Sequence, residues 1–229
     1  TNMQKLLFLH GALGSQEHFS AVKAKLSNDF EMYSFNFKGH SGSEMPDGDF
    51  SIQNFAEEVI AFLNQNNIQK TSIFGYSMGG YVGLYLAKNF PERIDKLFTL
   101  ATKWHWTIEN ASRESKMLNP KIIKEKVPKY ADSLLQFHGA NWEMLLQKTA
   151  AMMVQLGANP TFENNDFTAI EKPILVGVGD KDVMVSLEKT IAVYRLLPNS
   201  QLLVMPNTSH PIDRINLELL TYQIRSFFL

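Results

Sequence analysis

The chain has 229 residues, 45% of them hydrophobic and 20% charged, enough for one domain with a full core and too apolar for a disordered chain. A formal net charge of -1 leaves no basic stripe for a phosphate backbone, so no nucleic-acid partner is expected. The absence of cysteine excludes disulfides, thiolate catalysis and cysteine-ligated zinc, and fits a reducing, cytoplasmic setting.

The start, Thr1 to His10, goes directly into a strand without a signal-peptide pattern. Apolar runs are too short to span a bilayer, so no membrane partner is expected either. Lys5 to His10 reads as a short buried strand, broken by Gly11-Ala12-Leu13-Gly14-Ser15 before a weakly helical stretch from Gln16 to Leu26. Phe30 to Phe37 is a second strand. After Ser51, the residues Ile52, Phe55, Ala56, Val59, Ile60 and Leu63 recur at three and four, which predicts an amphipathic helix. Thr71 to Tyr76 is the third strand, Met78 to Phe90 an apolar helix stopped by Pro91, and Ile94 to Leu100 the fourth strand. Pro173 to Val178 and Gln201 to Met205 are the fifth and sixth. Ser186 caps a helix running to Leu197, and Pro211 takes the first position of a closing helix to Leu229.

Buried strands without a two-residue polar alternation, set between helices, predict a parallel sheet covered on both faces, with ligands at the carboxyl ends of the strands. Residues 1–101 and 169–229 form this α/β core. The segment 102–168 carries no strand pattern and is expected to be an inserted helical cap, with helical stretches near Asn119 to His138 and Asn141 to Gly157. All three tryptophans, Trp104, Trp106 and Trp142, fall in it, together with Met117, Met144, Met152 and Met153. Large, adaptable apolar groups suit a lid over an acyl or aromatic substrate, and Trp104 and Trp142 are candidate substrate contacts with Leu13 and Tyr76.

Gly75-Tyr76-Ser77-Met78-Gly79 joins the third strand to the following helix. A strand that turns abruptly into a helix brings backbones too close for side chains beside the turn, and pushes the serine oxygen out above the sheet edge. Downstream, Gly179-Asp180-Lys181-Asp182 leaves the fifth strand and Ser209-His210-Pro211 the sixth, supplying an acid and then a base at the same edge. Ser77 and His210 are therefore the candidate nucleophile and base, and Asp180 and Asp182 are both candidates for the acid. The six histidines, at 10, 18, 40, 105, 138 and 210, show no metal-ligand spacing, and no phosphate-loop pattern occurs, so neither metal nor cofactor is expected.

With His10-Gly11, Gly39-His40-Ser41-Gly42-Ser43, Gly75 to Gly80, Gly179 to Asp182 and His210 in order, the chain resembles the α/β-hydrolase superfamily over essentially its whole length. Lys5 to His10 looks like that family's third strand, which implies a compact core of about six parallel strands with a small helical cap. The elbow Gly-Tyr-Ser-Met-Gly-Gly and the opening His-Gly-Ala-Leu-Gly-Ser resemble the small capped serine hydrolases. These include the menaquinone-pathway synthase, the methyl esterase of biotin synthesis and enol-lactonases. The chain departs from the synthase at Tyr81, where that enzyme has an arginine, and from haloalkane dehalogenases and epoxide hydrolases at Ser77, where those have a carboxylate.

The resemblance implies a Ser77, His210, Asp182 triad and an oxyanion hole from the backbone N–H groups of Ala12 and Met78, with Leu13 N–H as the alternative. His10 and His40 are read as bracing residues. The expected activity is hydrolysis of a small carboxylic ester, thioester or lactone through an acyl-serine. The alternatives are an elimination run by the same residues and a ligand-binding member without turnover.

Overall fold

The computed structural model describes residues 3–229; the reading of the chain's start at Thr1 and Asn2 lies outside them. Six strands, β1 (Gln4–Leu9), β2 (Phe30–Ser34), β3 (Thr71–Tyr76), β4 (Ile94–Leu100), β5 (Ile174–Gly179) and β6 (Ser200–Met205), form one sheet in the order β2-β1-β3-β4-β5-β6. Every neighbouring pair is parallel. The two-residue period of the strands sorts their side chains into two cores. Leu7, Leu9, Ile73, Leu97 and Val176 face the side covered by α2 (Ile52–Gln65), α3 (Met78–Asn89) and α9 (Leu187–Leu196). Leu6, Phe8, Phe74, Phe98 and Leu175 face α1 (Ser20–Leu26) and α10 (Leu217–Phe228). Burial on both faces is why β3 and β5 read as unbroken apolar runs, while the edge strands β2 and β6 are partly exposed. Each fully buried Phe or Leu contributes about 2–3 kcal/mol of transfer free energy.

Caps account for the helix starts. Ser51 accepts from Asn54 N at 3.0 Å and Ser186 from Lys189 N at 3.2 Å, the latter at the predicted position. The closing helix departs from expectation: Pro211 leads only into a 3-10 turn, Ile212–Arg214, and α10 begins at Leu217, where Asn216 Oδ1 accepts from Leu219 N at 3.0 Å. The second strand is also shorter than predicted. After Ser34 the chain leaves β1, because Asn36 Oδ1 is taken by Gln16 N and Phe37 N donates to a side chain, His10 Nε2.

Between β4 and β5 the chain forms helices α4 (Ile108–Lys116), α5 (Pro120–Lys126), α6 (Pro128–His138), α7 (Trp142–Ala158) and α8 (Asn164–Thr168). The predicted helix from Asn119 to His138 is split at Pro128, whose missing N–H and ring end α5 and start α6. Helices α4 and α7 pack closely: a Cβ at Gly157 would lie 2.5 Å from Ala111 Cβ.

Candidate active site

Ser77 sits between β3 and α3 at φ 51 and ψ -118, a left-handed backbone that costs a non-glycine residue about 1–3 kcal/mol. Its neighbours hold it there. Ser77 N donates to Leu100 O at 2.8 Å, and Thr102 Oγ1 donates to Ser77 O at 2.8 Å. The flanking glycines are required by close approach: a Cβ at Gly75 would lie 2.5 Å from Gly79 O, and one at Gly79 would lie 2.1 Å from Leu9 O. The loop after β1 lies against the same turn, since a Cβ at Gly11 would meet Ser77 Cβ at 3.1 Å.

His210 Nδ1 lies 2.8 Å from Asp182 Oδ2, and the other oxygen of Asp182 accepts from Met184 N at 2.8 Å and Val185 N at 2.9 Å. The Asp182 side chain is fully buried and that of His210 is 14% exposed, so the carboxylate is shielded while the ring edge stays accessible. An imidazole held this way by Nδ1 presents Nε2 as a base. Asp180 is instead an exposed turn residue: its Oδ1 accepts from Thr208 N at 3.1 Å, and the backbone N–H groups of Thr208 and Asn207 hold its carboxyl below the usual range. The loops that carry Asp182 and His210 are pressed together, with Lys181 N donating to Thr208 O at 3.0 Å. Tyr76 Oη donates to His210 O at 2.7 Å, and burial pushes the phenol further up, keeping it a neutral donor.

Ser77, His210, Tyr76, Ala12, Leu13 and Met78 all line one cavity of about 670 Å³. Much of its remaining lining is apolar and comes from Ile52, Tyr81 and the segment between β4 and β5, with Trp106, Met117, Met152 and Leu156. Two charges in that lining, Lys103 and Glu114, form an ion pair, and Lys103 Nζ lies 4.5 Å from the centroid of the Trp106 ring.

Two predicted contacts do not reach this cavity. Trp104 is buried, stacked on Tyr81 at 5.8 Å and edge-on to Phe167 at 6.3 Å; Trp106, two residues on, is the tryptophan that lines the space. Trp142, the first residue of α7, packs instead with Ile123, Ala131, Leu134 and Leu146, where it ties α5, α6 and α7 together. The Lys103–Glu114 pair was not foreseen, because it joins two residues with no local signature.

The two bracing histidines are buried and neutral. His10 Nε2 accepts from Phe37 N at 3.1 Å, so Nδ1 carries the proton and donates to Gly11 O at 2.8 Å; burial holds its pKa well below the ordinary value. His40 donates through Nδ1 to Lys38 O at 3.1 Å, stacks on Phe50, and is lowered by burial to about 4. Among the described residues, no group of three or more His, Cys, Asp or Glu is arranged to hold a metal ion, and no helix is long and apolar enough to cross a membrane.

The family model of the alpha/beta hydrolase fold matches residues 5–168. A human serine hydrolase-like protein is 29% identical over 145 residues, covering 62% of this chain and 71% of its own length. The curated relatives matched first are longer: the alignment spans 42% of this chain and 28% of theirs. Among solved structures, a thermophilic esterase from Thermogutta terrifontis superposes with a TM-score of 0.79 at 20% identity, covering 99% of this chain and 90% of that one. The enol-lactonase from Burkholderia xenovorans LB400 superposes with a TM-score of 0.80 at 15% identity, covering 99% and 92%. At these identities the superpositions speak for the fold.

Proposed function

The chain belongs to the alpha/beta hydrolase family, and we propose that within it the protein is a serine hydrolase that cleaves a small carboxylic ester, thioester or lactone through an acyl-Ser77 intermediate. The observation that carries this reading is that Ser77, on its strained turn, and His210, anchored on buried Asp182, open onto one apolar cavity.

In this mechanism Ser77 Oγ attacks the carbonyl carbon while His210 Nε2 takes its proton. The carbonyl oxygen becomes an oxyanion and receives the N–H groups of Ala12 and Met78. Collapse breaks the bond to the leaving group, which takes the proton back from His210. Water, deprotonated by the same imidazole, then releases the acid from Ser77. Asp182 accepts from two backbone N–H groups and from His210 Nδ1, which holds it where it orients the ring and stabilises the imidazolium.

We also propose that residues 102–168 act as an inserted cap on a core of 1–101 and 169–229, because Lys103, Trp106, Met117, Met152 and Leu156 line the same cavity as Ser77. A cavity of about 670 Å³ lies within the roughly 300–1,000 Å³ range of small-molecule sites. Its lining favours an apolar acyl or aromatic group. An acidic substrate, as an elimination of the synthase type would need, meets no free cation from Lys103, which Glu114 neutralises.

The test is intact-mass and peptide mass spectrometry after treatment with a small fluorophosphonate, followed by kinetics on short-chain esters and thioesters. One adduct on Ser77 is expected, lost in Ser77→Ala and His210→Ala, with ester turnover falling on the order of 10⁴-fold or more in each. Wild-type rates in Ser77→Ala would refute the covalent mechanism.

A further inference from the structure

His138, the last residue of α6, is buried far along the chain from Ser77 and takes no part in the chemistry above. Both its ring nitrogens are nevertheless engaged. Nδ1 lies 2.9 Å from Ser41 N, and Nε2 lies 2.9 Å from Leu13 O. A backbone N–H can only donate and a carbonyl can only accept, so the contacts fix one state: Nδ1 bare, Nε2 protonated, the ring neutral.

Both partners are strained. Leu13 has φ 60 and Ser41 has φ 51, left-handed conformations at residues that are not glycine. Such residues persist where the surroundings over-determine them, and here one imidazole touches both. Leu13 lies in the turn closed by Gly14 N donating to Gly11 O at 3.1 Å, directly after Ala12, and lines the cavity. Ser41 lies in the turn closed by Ser43 N donating to His40 O at 3.0 Å. His138 therefore joins three segments that lie far apart in sequence: the end of α6, the loop after β1 and the loop after β2.

We infer that His138 is a positioning residue, a neutral two-armed latch by which α6 fixes the peptide planes of residues 11–14 and so aims the oxyanion donor at Ser77. Its catalytic consequence rests on the acyl-serine reading; the latch itself does not. The titratable groups facing it are His18, His40 and His10, of which His18 stacks on the adjacent Phe137 at 5.3 Å and is itself reached by Asp213. Burial, with His18 beside it, holds the His138 pKa below the ordinary value, in keeping with a neutral ring at pH 7. Protonation would set a second N–H against the Ser41 N–H and replace an attraction by a repulsion.

The deciding experiment has two arms. Long-range ¹H–¹⁵N NMR of the wild-type chain reads the tautomer directly, and the expected signal is Nε2–H at pH 8 and pH 7. Stopped-flow labelling of Ser77 by a fluorophosphonate, with steady-state hydrolysis of a short-chain p-nitrophenyl ester, is then compared in His138→Ala and His138→Gln. The alanine variant should label and turn over about 10- to 100-fold more slowly with KM within about threefold, as for a misplaced donor. The glutamine variant, whose amide offers one acceptor and one donor, should recover most of that loss. If His138→Ala does not fold, the glutamine variant and the tautomer decide. A proton on Nδ1, an imidazolium at pH 8, or wild-type labelling and kcat in His138→Ala would overturn the latch. Failure of the wild-type chain to label at Ser77 would instead sink the acyl-serine reading, and the tautomer would still decide the latch.

Discussion

Replacing Gly79 by alanine tests whether the turn at Ser77 is built by backbone contact. The added Cβ would lie 2.1 Å from Leu9 O, 2.6 Å from Leu9 C and 2.8 Å from His10 O. Ordinary contact is about 3.5 Å, so relief demands a shift of roughly 1.4 Å. No side chain can yield, because all three obstacles are backbone at the end of β1, where Leu9 is paired with Gly75. Overpacking a core costs typically about 1–3 kcal/mol, and here the upper end or more applies. Against it stands about 1 kcal/mol gained by alanine over glycine inside a helix. A net loss of about 2–3 kcal/mol lowers the melting temperature of a chain this long by about 4–12 °C. Gly48→Ala is the control, since nothing lies within 4 Å of its added Cβ, and it should stay within about 1 kcal/mol of the wild type. Thermal unfolding followed by circular dichroism gives both values. Equal melting temperatures for the two variants would refute the close-contact account. Gly79→Ala should also slow labelling of Ser77, because the displaced residues lead into the loop that carries Ala12.

Glu114→Gln frees the Lys103 ammonium in the cavity wall. For esters whose acyl group ends in a carboxylate, kcat/KM relative to a neutral ester of equal length should rise about tenfold, or about 1.4 kcal/mol; an unchanged ratio would mean that Lys103 does not face the acyl group. Stability should fall with acid in a defined window. His40 titrates near 4 in the folded protein against 6.5 when exposed, so the unfolded chain binds its proton first. The contribution is complete above about pH 6.5 and fades as pH drops toward 4, by about 2 kcal/mol at pH 5 from His40 alone. His10 and His138 are shifted the same way and add to the slope. Urea midpoints at pH 7.5 and pH 5 measure it, and equal stabilities would contradict buried neutral imidazoles.

The strands were legible where the physics is one-dimensional. β3 and β4 fall on the predicted bounds, Thr71–Tyr76 and Ile94–Leu100, because β3 is buried along its whole length and β4 from Leu97 to Leu100, between polar and proline stops. The same logic locates Ser77, Asp182 and His210, since a parallel sheet delivers every strand's carboxyl end to one edge whatever the spacing in sequence. It failed at Phe35 to Phe37, where Asn36 Oδ1 accepts from the Gln16 N–H and the Phe37 N–H donates to His10 Nε2, so the segment is held outside the ladder. Helix α4 escaped because it buries only Ala111 and carries just two apolar residues, Ile108 and Ala111; the capping box of Thr107 and Asn110 was its one local sign. Trp104 and Trp106 show the limit most sharply. Both are large and apolar, and which one faces the cavity depends on how the chain turns after β4. The links made by His138 span 97 and 125 residues, and no local pattern encodes them.

Where the strain lies supports a common cause for these features. Of the six non-glycine residues at positive φ among the described residues, Asn67 and Asn207 are of a type that enters this region cheaply. The other four, Leu13, Ser41, Ser77 and Ala101, follow β1, β2, β3 and β4 at the carboxyl edge of the sheet. Each is tied across the chain: Ser77 N to Leu100 O, Ala101 N to Gly177 O at 3.0 Å, and Leu13 O and Ser41 N to His138. A chain that must leave a strand abruptly accepts a costly backbone only where another element supplies the hydrogen bond. Donors fixed in this way would need little reorganisation when charge develops beside them, which is the property an oxyanion site requires. The strain and the proposed chemistry thus share one edge because both depend on the same abrupt exits from the sheet.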